Sequence, residues 1–173
     1  DREEKSKYQR MLVNLAVASV PGALAGFFFE GMLADISRSD VWIGATLIMM
    51  ALIFFAVEHW HGKRAYEGRN MFGLSIAEAF WIGVAQMTAL LPGISRSGAT
   101  ISVGLFLRMN RAEATRFSFL MSLPIIAGAG LNGLREYLGG QGGDIAGAEV
   151  IWGFLFSALV GYASIAFLIR DLK

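Results

Sequence analysis

At 173 residues, 55% of them hydrophobic, with a mean hydropathy of +0.52 and a formal net charge of +1, the chain is too apolar for an ordinary soluble domain and reads as a membrane protein. The absence of cysteine excludes disulfides, thiolate metal sites and cysteine nucleophiles, and the near-neutral charge offers nothing that would hold nucleic acid. Asp1 to Arg10 is charged without the order of a signal peptide, so no cleaved targeting segment is expected, and the missing initiator methionine reads as the mark of a fragment.

Met11 to about Phe29 supplies the roughly 20 apolar residues that cross a hydrocarbon core of about 30 Å, and is expected to be the first span (11–29). Pro21 should kink it, and Gly22 with Gly26 makes a Gly-x-x-x-Gly spacing that serves either a specific helix contact or, more commonly, ordinary intramolecular packing. Glu30 to Asp40 reads as a polar connection. The second span is expected over 41–60, with Trp42 and Trp60 where interfacial aromatics belong. Glu58, His59 and His61 have the composition of a metal site, but one turn of helix at an interface gathers such groups without any ligand role, so no metal is assigned there. After a basic loop over 61–70, Ser75-Ile76-Ala77-Glu78 matches the capping box that opens a helix, which makes Glu78 a cap ahead of a catalytic acid.

From Ser75 to Leu91 a helix would rise about 25 Å, and from Gly98 to Leu107 about 15 Å, so neither spans a bilayer comfortably. Two short segments joined by a break predict a re-entrant hairpin over 75–107, with irregular backbone lining an enclosed, wet cavity. Gln86 then either faces that cavity or bonds a neighbouring helix. A second basic loop (Arg108, Arg111, Arg116) leads to a third span over 117–131 containing Pro124, then to a glycine-rich connection over 135–149 that carries no evident chemistry. A last span is expected over 150–169. The fold class is an all-α polytopic membrane protein, residues 1–173 forming a single, partial integral-membrane domain with no soluble second domain.

The chemistry concentrates in Leu91-Pro92-Gly93-Ile94-Ser95-Arg96-Ser97-Gly98-Ala99-Thr100, a polar decapeptide between apolar segments. Pro92-Gly93 breaks the arriving helix, and the serines can cap a new one starting near Gly98. Arg96 can clamp a phosphate through two parallel hydrogen bonds, Ser95 and Ser97 offer hydroxyls, and the first N–H groups of the next helix point the same way. Thr100 follows Ser97 by three residues and extends the site if the two share a helix face. The competing reading is an arginine that merely bonds backbone carbonyls at a helix end. Three flanking hydroxyl residues argue for an anion, because a helix N-terminus repels further cations.

Pro-Gly-Ile-Ser-Arg-Ser-Gly-Ala-Thr at 92–100, together with Pro21-Gly22, Gly83-Val84-Ala85-Gln86, Arg111, Arg116-Phe117-Ser118-Phe119-Leu120 and Pro124, closely resembles the undecaprenyl-diphosphate phosphatase (bacitracin-resistance) family of bacterial membrane enzymes. By position, the resemblance implies phosphate binding by Ser95, Arg96, Ser97 and Thr100, with Gly93 and Gly98 as points of backbone approach, Arg96 and Ser95 as catalytic candidates and Gln86 as a supporting residue. It implies hydrolysis of undecaprenyl diphosphate to the monophosphate, a polyprenyl diphosphate lipid as partner, a bacterial inner-membrane location and an inverted-repeat fold. Such a fold has an earlier hairpin bearing a Glu-rich motif and a Ser-Ser-Thr-Gly-His stretch. Neither motif occurs in this chain, which is therefore expected to begin after that hairpin, to stop before a final span, and to be weak or inactive alone. No cofactor is assigned. A need for a divalent cation and a homo-oligomeric state are left open.

The basic residues at 1–10, 61–70, 108–116 and 170–173, twelve of the fifteen, fall on one side if the hairpin enters and leaves by the same face. The positive-inside rule then places both chain ends in the cytoplasm. Broken helices around a mid-membrane anion also describe a transporter or flippase of an anionic lipid or small anion, which is the alternative function, and a scaffold with an arginine-capped hairpin is the third.

Overall fold

The computed structural model describes residues 2–36, 39–62, 68–141 and 147–171, leaving aside the side chains at 29–36, 61–62, 141, 165 and 168–171. Ser37, Arg38, the loop residues Lys63 and Arg64, Gly142, Gly143 and Lys173 lie outside the described residues. By contacts the chain divides into two units, Asp1–Gly128 and Ala129–Lys173, each taken here by itself.

The first unit contains α1 (Arg2–Ile36), α2 (Asp40–Gly62), a 3-10 turn (Met71–Gly73), α3 (Ile76–Thr88), α4 (Arg96–Phe106) and most of α5 (Arg111–Glu136). The second takes the end of α5, a π turn (Tyr137–Gln141) in which Gly140 leaves the helix at φ +81°, and α6 (Gly147–Asp171). Four helices are long and apolar enough to cross a membrane, over Arg2–Phe28, Asp40–Trp60, Arg111–Gly140 and Gly147–Ser164, and the protein is an all-α, multi-pass membrane protein. Among the described residues the only β-type pairing is an isolated bridge between Arg69 and Met109.

Three stretches depart from the sequence reading. The region beginning at Glu30, expected as a polar connection, continues α1 to Ile36, because Met32, Leu33 and Ala34 are good helix formers and outweigh the isolated acids. Likewise α1 starts at Arg2, well before Met11, with Glu3 and Glu4 placed where the helix dipole favours negative charge. The glycine-rich stretch at 135–149 is helical up to Glu136 and again from Gly147.

Within the first unit the short helices lie between the long ones. Contacts pair Asn14 with Leu74, Ala18 with Gly83 and Gly22 with Gln86, so α3 runs parallel to α1. In the same way Thr46 meets Gly93, Met50 meets Gly98, and Trp60 stacks on Phe106 at 5.6 Å, so α4 runs parallel to α2. Helix α5 returns antiparallel to α4, with Ala114 against Gly104 and Ser118 against Thr100. Helices in lipid gain little from hiding apolar surface and associate through close packing, which explains the small residues at these crossings. A methyl at Gly83 would overlap the carbonyl of Ala18, whereas at Gly26 nothing lies within 4 Å. Of the Gly-x-x-x-Gly pair only Gly22 is engaged, against Ile125 and Gln86. Leu15, Ala18, Leu74, Ile82, Leu105, Met109, Phe117 and Met121 form the core of these crossings.

The direction of α2 yields a direct test. Ser39 precedes its first residue, while Ala112 adjoins Arg111, which is ion-paired to Glu58 at the far end. Cysteines placed singly at Ser39 and Ala112 in this cysteine-free chain are expected to react with an impermeant thiol reagent from opposite faces of the membrane. Reaction of both from one face would show that α2 does not cross.

A candidate anion site at the hairpin tip

Helix α3 opens on a complete capping box: the Ser75 Oγ accepts the Glu78 N–H at 3.3 Å, and the Glu78 Oε2 accepts the Ser75 N–H at 2.8 Å. Its 13 residues rise about 20 Å, and the 11 residues of α4 rise about 17 Å. Between them the chain turns through Ala89–Ile94, where Pro92 has no N–H to continue a helix and Gly93 takes φ +88°. The turn is seated on α2. The Thr46 hydroxyl donates to the Pro92 carbonyl at 2.7 Å, and a methyl at Gly93 would overlap the Thr46 Oγ1 and the Ile43 carbonyl. Thr46 precedes Trp60, near the hairpin base, by 14 residues of helix, so the tip lies about 21 Å from the base along α2.

Helix α4 begins at Arg96, two residues before the start near Gly98 expected from the sequence. Ser95, at φ −68° and ψ 116°, is the N-cap, and its Oγ accepts the Gly98 N–H at 3.2 Å. Both serines are good caps, and the choice falls on the one whose oxygen reaches the N3 amide. Arg96 and Ser97 therefore occupy the first two helical positions, where N–H groups have no acceptor inside the helix. Ser95 Oγ and Ser97 Oγ stand 3.5 Å apart.

Arg96 is half-buried, and its guanidinium makes no hydrogen bond or ion pair among the described residues. Arg69, Arg111 and Arg116 are by contrast paired with Glu78, Glu58 and Glu113. The carbonyl-capping arrangement weighed from the sequence is thus not the one adopted. A partnerless cation at the positive end of a helix is unfavourable twice over until an anion joins it.

Gly93, Ser95, Ser97 and Gly98 face a cavity of about 350 Å³ whose other walls are Leu47, Met50, Ala51 and Phe54 of α2 and Ile101 of α4, and Arg96 is not part of its lining. A polar end opens onto an apolar groove. A larger cleft of about 690 Å³ lies near the start of α1 between Glu3, Lys7, Tyr8, Arg10 and Phe72. Its walls mix both signs of charge and include none of the decapeptide, so size does not decide the site.

Two expected site residues point elsewhere. Thr100 is 1% exposed, and its Oγ1 lies 2.9 Å from the Arg96 carbonyl, 3.2 Å from the Ser97 carbonyl and 2.6 Å from the Ser118 Oγ. It braces the first turn of α4 from behind and does not line the groove. Gln86 lies on the α1 side against Gly22, buried, with neither amide atom partnered among the described residues. Glu58 pairs with Arg111, His59 stacks on Phe55, and the His61 side chain lies outside the described residues.

The family model for the bacitracin resistance protein BacA matches residues 1–173, the whole chain. The chain belongs to that family. Among its curated relatives, each named undecaprenyl-diphosphatase, the one from Chlorobium phaeobacteroides is 40% identical over 99% of this chain and 62% of its own length. The one from Rubrobacter xylanophilus is 44% identical over 93% of this chain and 58% of its own, and the one from Methanothermobacter thermautotrophicus 38% over 91% and 85%. The chain spans about three-fifths of the length of the first two.

Ser118 and Thr46 were not singled out from the sequence. Ser118 stands inside the Arg116–Leu120 stretch that carried part of the resemblance, but nothing local ties it to Thr100, 18 residues away. Replacing Ser118 by alanine in this BacA-family protein is expected to remove one buried hydrogen bond, worth about 1 kcal/mol, and to loosen the turn that carries Arg96. A lowered melting temperature with a several-fold fall in activity is the expected result, and an unchanged melting temperature would show that the hydroxyl pair contributes nothing.

Proposed function

We propose that the protein hydrolyses undecaprenyl diphosphate to undecaprenyl phosphate and inorganic phosphate, recycling the lipid carrier of peptidoglycan synthesis and conferring bacitracin resistance. The observation that carries this reading is the N-terminus of α4, where Arg96, without a hydrogen-bond or ion-pair partner among the described residues, lies between Ser95 and Ser97 in sequence, and those two serines line the polar end of an apolar groove. A ligand complementary to it has a multiply charged phosphate end joined to hydrocarbon. The relatives' name, undecaprenyl-diphosphatase, supports the same substrate.

In this reading the α3–α4 hairpin is re-entrant and is half of an inverted repeat. It enters from the cytoplasmic face of the inner membrane, as the clustered basic residues favour. Arg96 grips the terminal phosphate, the Arg96 and Ser97 N–H groups and the Ser95 and Ser97 hydroxyls complete the grip, and Gly98 leaves the backbone open to it. Thr100 holds the turn, and Gln86 supports the hairpin from the α1 side. Hydrolysis joins a water oxygen to the terminal phosphorus and breaks its bond to the bridging oxygen, which leaves with the lipid monophosphate. Positioning and charge neutralisation carry most of such a reaction, and these are what Arg96 and the helix terminus supply. The activating acid or base is the role that the resemblance gives to the Glu-rich and Ser-Ser-Thr-Gly-His motifs, which this sequence does not contain. The Ser95 oxygen already accepts the Gly98 N–H, which suits a binding hydroxyl.

The test is phosphate release from undecaprenyl diphosphate in detergent by a protein that joins this chain to the Glu-rich and Ser-Ser-Thr-Gly-His motifs: release is expected there, and little from the chain alone. Lipid movement between leaflets without phosphate release would favour the transporter alternative, and neither process would leave a scaffold.

A further inference from the structure

The two legs of the hairpin are joined at their base by a segment that touches neither the tip nor the groove. Gly68 to Met71 runs alongside the exit of α4. The Arg69 N–H donates to the Arg108 carbonyl at 2.9 Å, and the Asn110 N–H donates to the Arg69 carbonyl at 3.1 Å. Gly68 has no room for a side chain, because the Asn110 backbone occupies that space. The Arg69 guanidinium then reaches both legs through one nitrogen: Nη2 donates to Glu78 Oε1 at 2.5 Å, in the first turn of α3, and to the Leu107 carbonyl at 3.0 Å, at the end of α4.

The surroundings hold this junction in place. The Glu113 Oε2 accepts the Met71 N–H at 3.1 Å, which brings the start of α5 into the same clasp. Leu74, Leu105 and Met109 are buried beneath it. Arg108 takes φ +65°, a conformation a non-glycine residue keeps only where its neighbours impose it. Burial pushes the Glu78 carboxyl up, but hydrogen bonds from the Ser75 backbone, Arg69 and the Ser75 hydroxyl outweigh it and hold the group below its ordinary value, so it stays charged beside Arg69.

Each leg is short and ends in caps, so neither has the length to anchor itself in the bilayer. Where the tip sits along α2 depends on what fixes the base, and a misplacement of about 1 Å at a reacting centre can cost about 100-fold in rate. We propose that Arg69 is a positioning residue for the anion site, locking the bases of α3 and α4 together and so setting the depth and orientation of Arg96, which lies at the other end of α4, about 17 Å along the helix. The proposal rests on the reading of the tip as a phosphate clamp.

The test uses Arg69→Met, which keeps the apolar stem and removes the donors, and Glu78→Gln, which removes the charge and keeps one acceptor oxygen, enough for the Ser75 N–H of the capping box, while the amide NH2 takes the place of the oxygen that accepts from Arg69. Two measurements are made on the intact protein. Spin labels on cysteines at Ile94 and Val41 report the distance from the tip to the start of α2, and phosphate release reports kcat and KM at a temperature where parent and variant are both folded. Arg69→Met is expected to broaden the distance distribution and to lower kcat by about tenfold or more at near-parental KM, with smaller changes of the same kind in Glu78→Gln. A merely structural role would lower the melting temperature and leave kcat and the distance distribution of the folded protein unchanged, and that result would overturn the proposal. If Arg69→Met does not fold, Glu78→Gln decides by the same two readouts. If the parent releases no phosphate while the distribution still broadens, the phosphatase reading has failed and the clasp has not.

Discussion

Arg96→Ala is expected to lose nearly all phosphate release while keeping the parental melting temperature. Removing one preorganised donor from the charge developing in a transition state costs on the order of 100- to 1000-fold in kcat, about 3–4 kcal/mol. Arg96 supplies a full charge as well as a fork of donors. Folding should survive because the guanidinium has no partner to lose among the described residues, and removing a cation from membrane depth lowers an insertion cost. Arg96→Lys separates charge from geometry: an ammonium keeps the charge and lacks the planar fork, so a large part of the activity should still be lost. Phosphate release and melting temperature for the three proteins decide the matter. An alanine form with parental turnover would sink the proposal, as would one that loses turnover only by unfolding.

The second large effect is expected at Gly93. Its φ of +88° suits glycine, and a methyl there would overlap both the Thr46 Oγ1 and the Ile43 carbonyl. Gly93→Ala therefore combines a left-handed backbone penalty of about 1–2 kcal/mol with displacement of the tip from α2 and loss of the Thr46 to Pro92 hydrogen bond, about 1 kcal/mol more. A destabilisation of about 3 kcal/mol with loss of most activity is expected, read from denaturation and phosphate release. Gly26→Ala is the control, since nothing lies within 4 Å of that position and it should behave as the parent. If both alanine forms melt and turn over like the parent, the tip is not seated on α2.

What could be read from the sequence is what acts within about one helical turn. The Ser75 to Glu78 capping box, the Pro92-Gly93 break and a cap at Ser95 or Ser97 all depend on groups three or four residues apart, and all are present. Reading failed by small amounts where two local rules competed. Either serine can cap a helix starting near Gly98, and Glu30 to Asp40 reads as a polar connection although helix propensity carries α1 on to Ile36.

The membrane class, the apolar helices, the broken hairpin and the arginine among hydroxyl residues beside its turn are legible in the sequence alone. Hydropathy and turn chemistry are properties of residue type and short spacing. Tertiary packing settles that the Thr100 hydroxyl meets Ser118 behind α4 and not the groove, that Gln86 lies against α1, that Thr46 seats the tip and that Arg69 ties the hairpin's two legs at their base. Those partners are 9 to 64 residues apart in sequence, and which of them meet is set by the depth and rotation at which small residues let the helices pack, a choice that no local preference encodes.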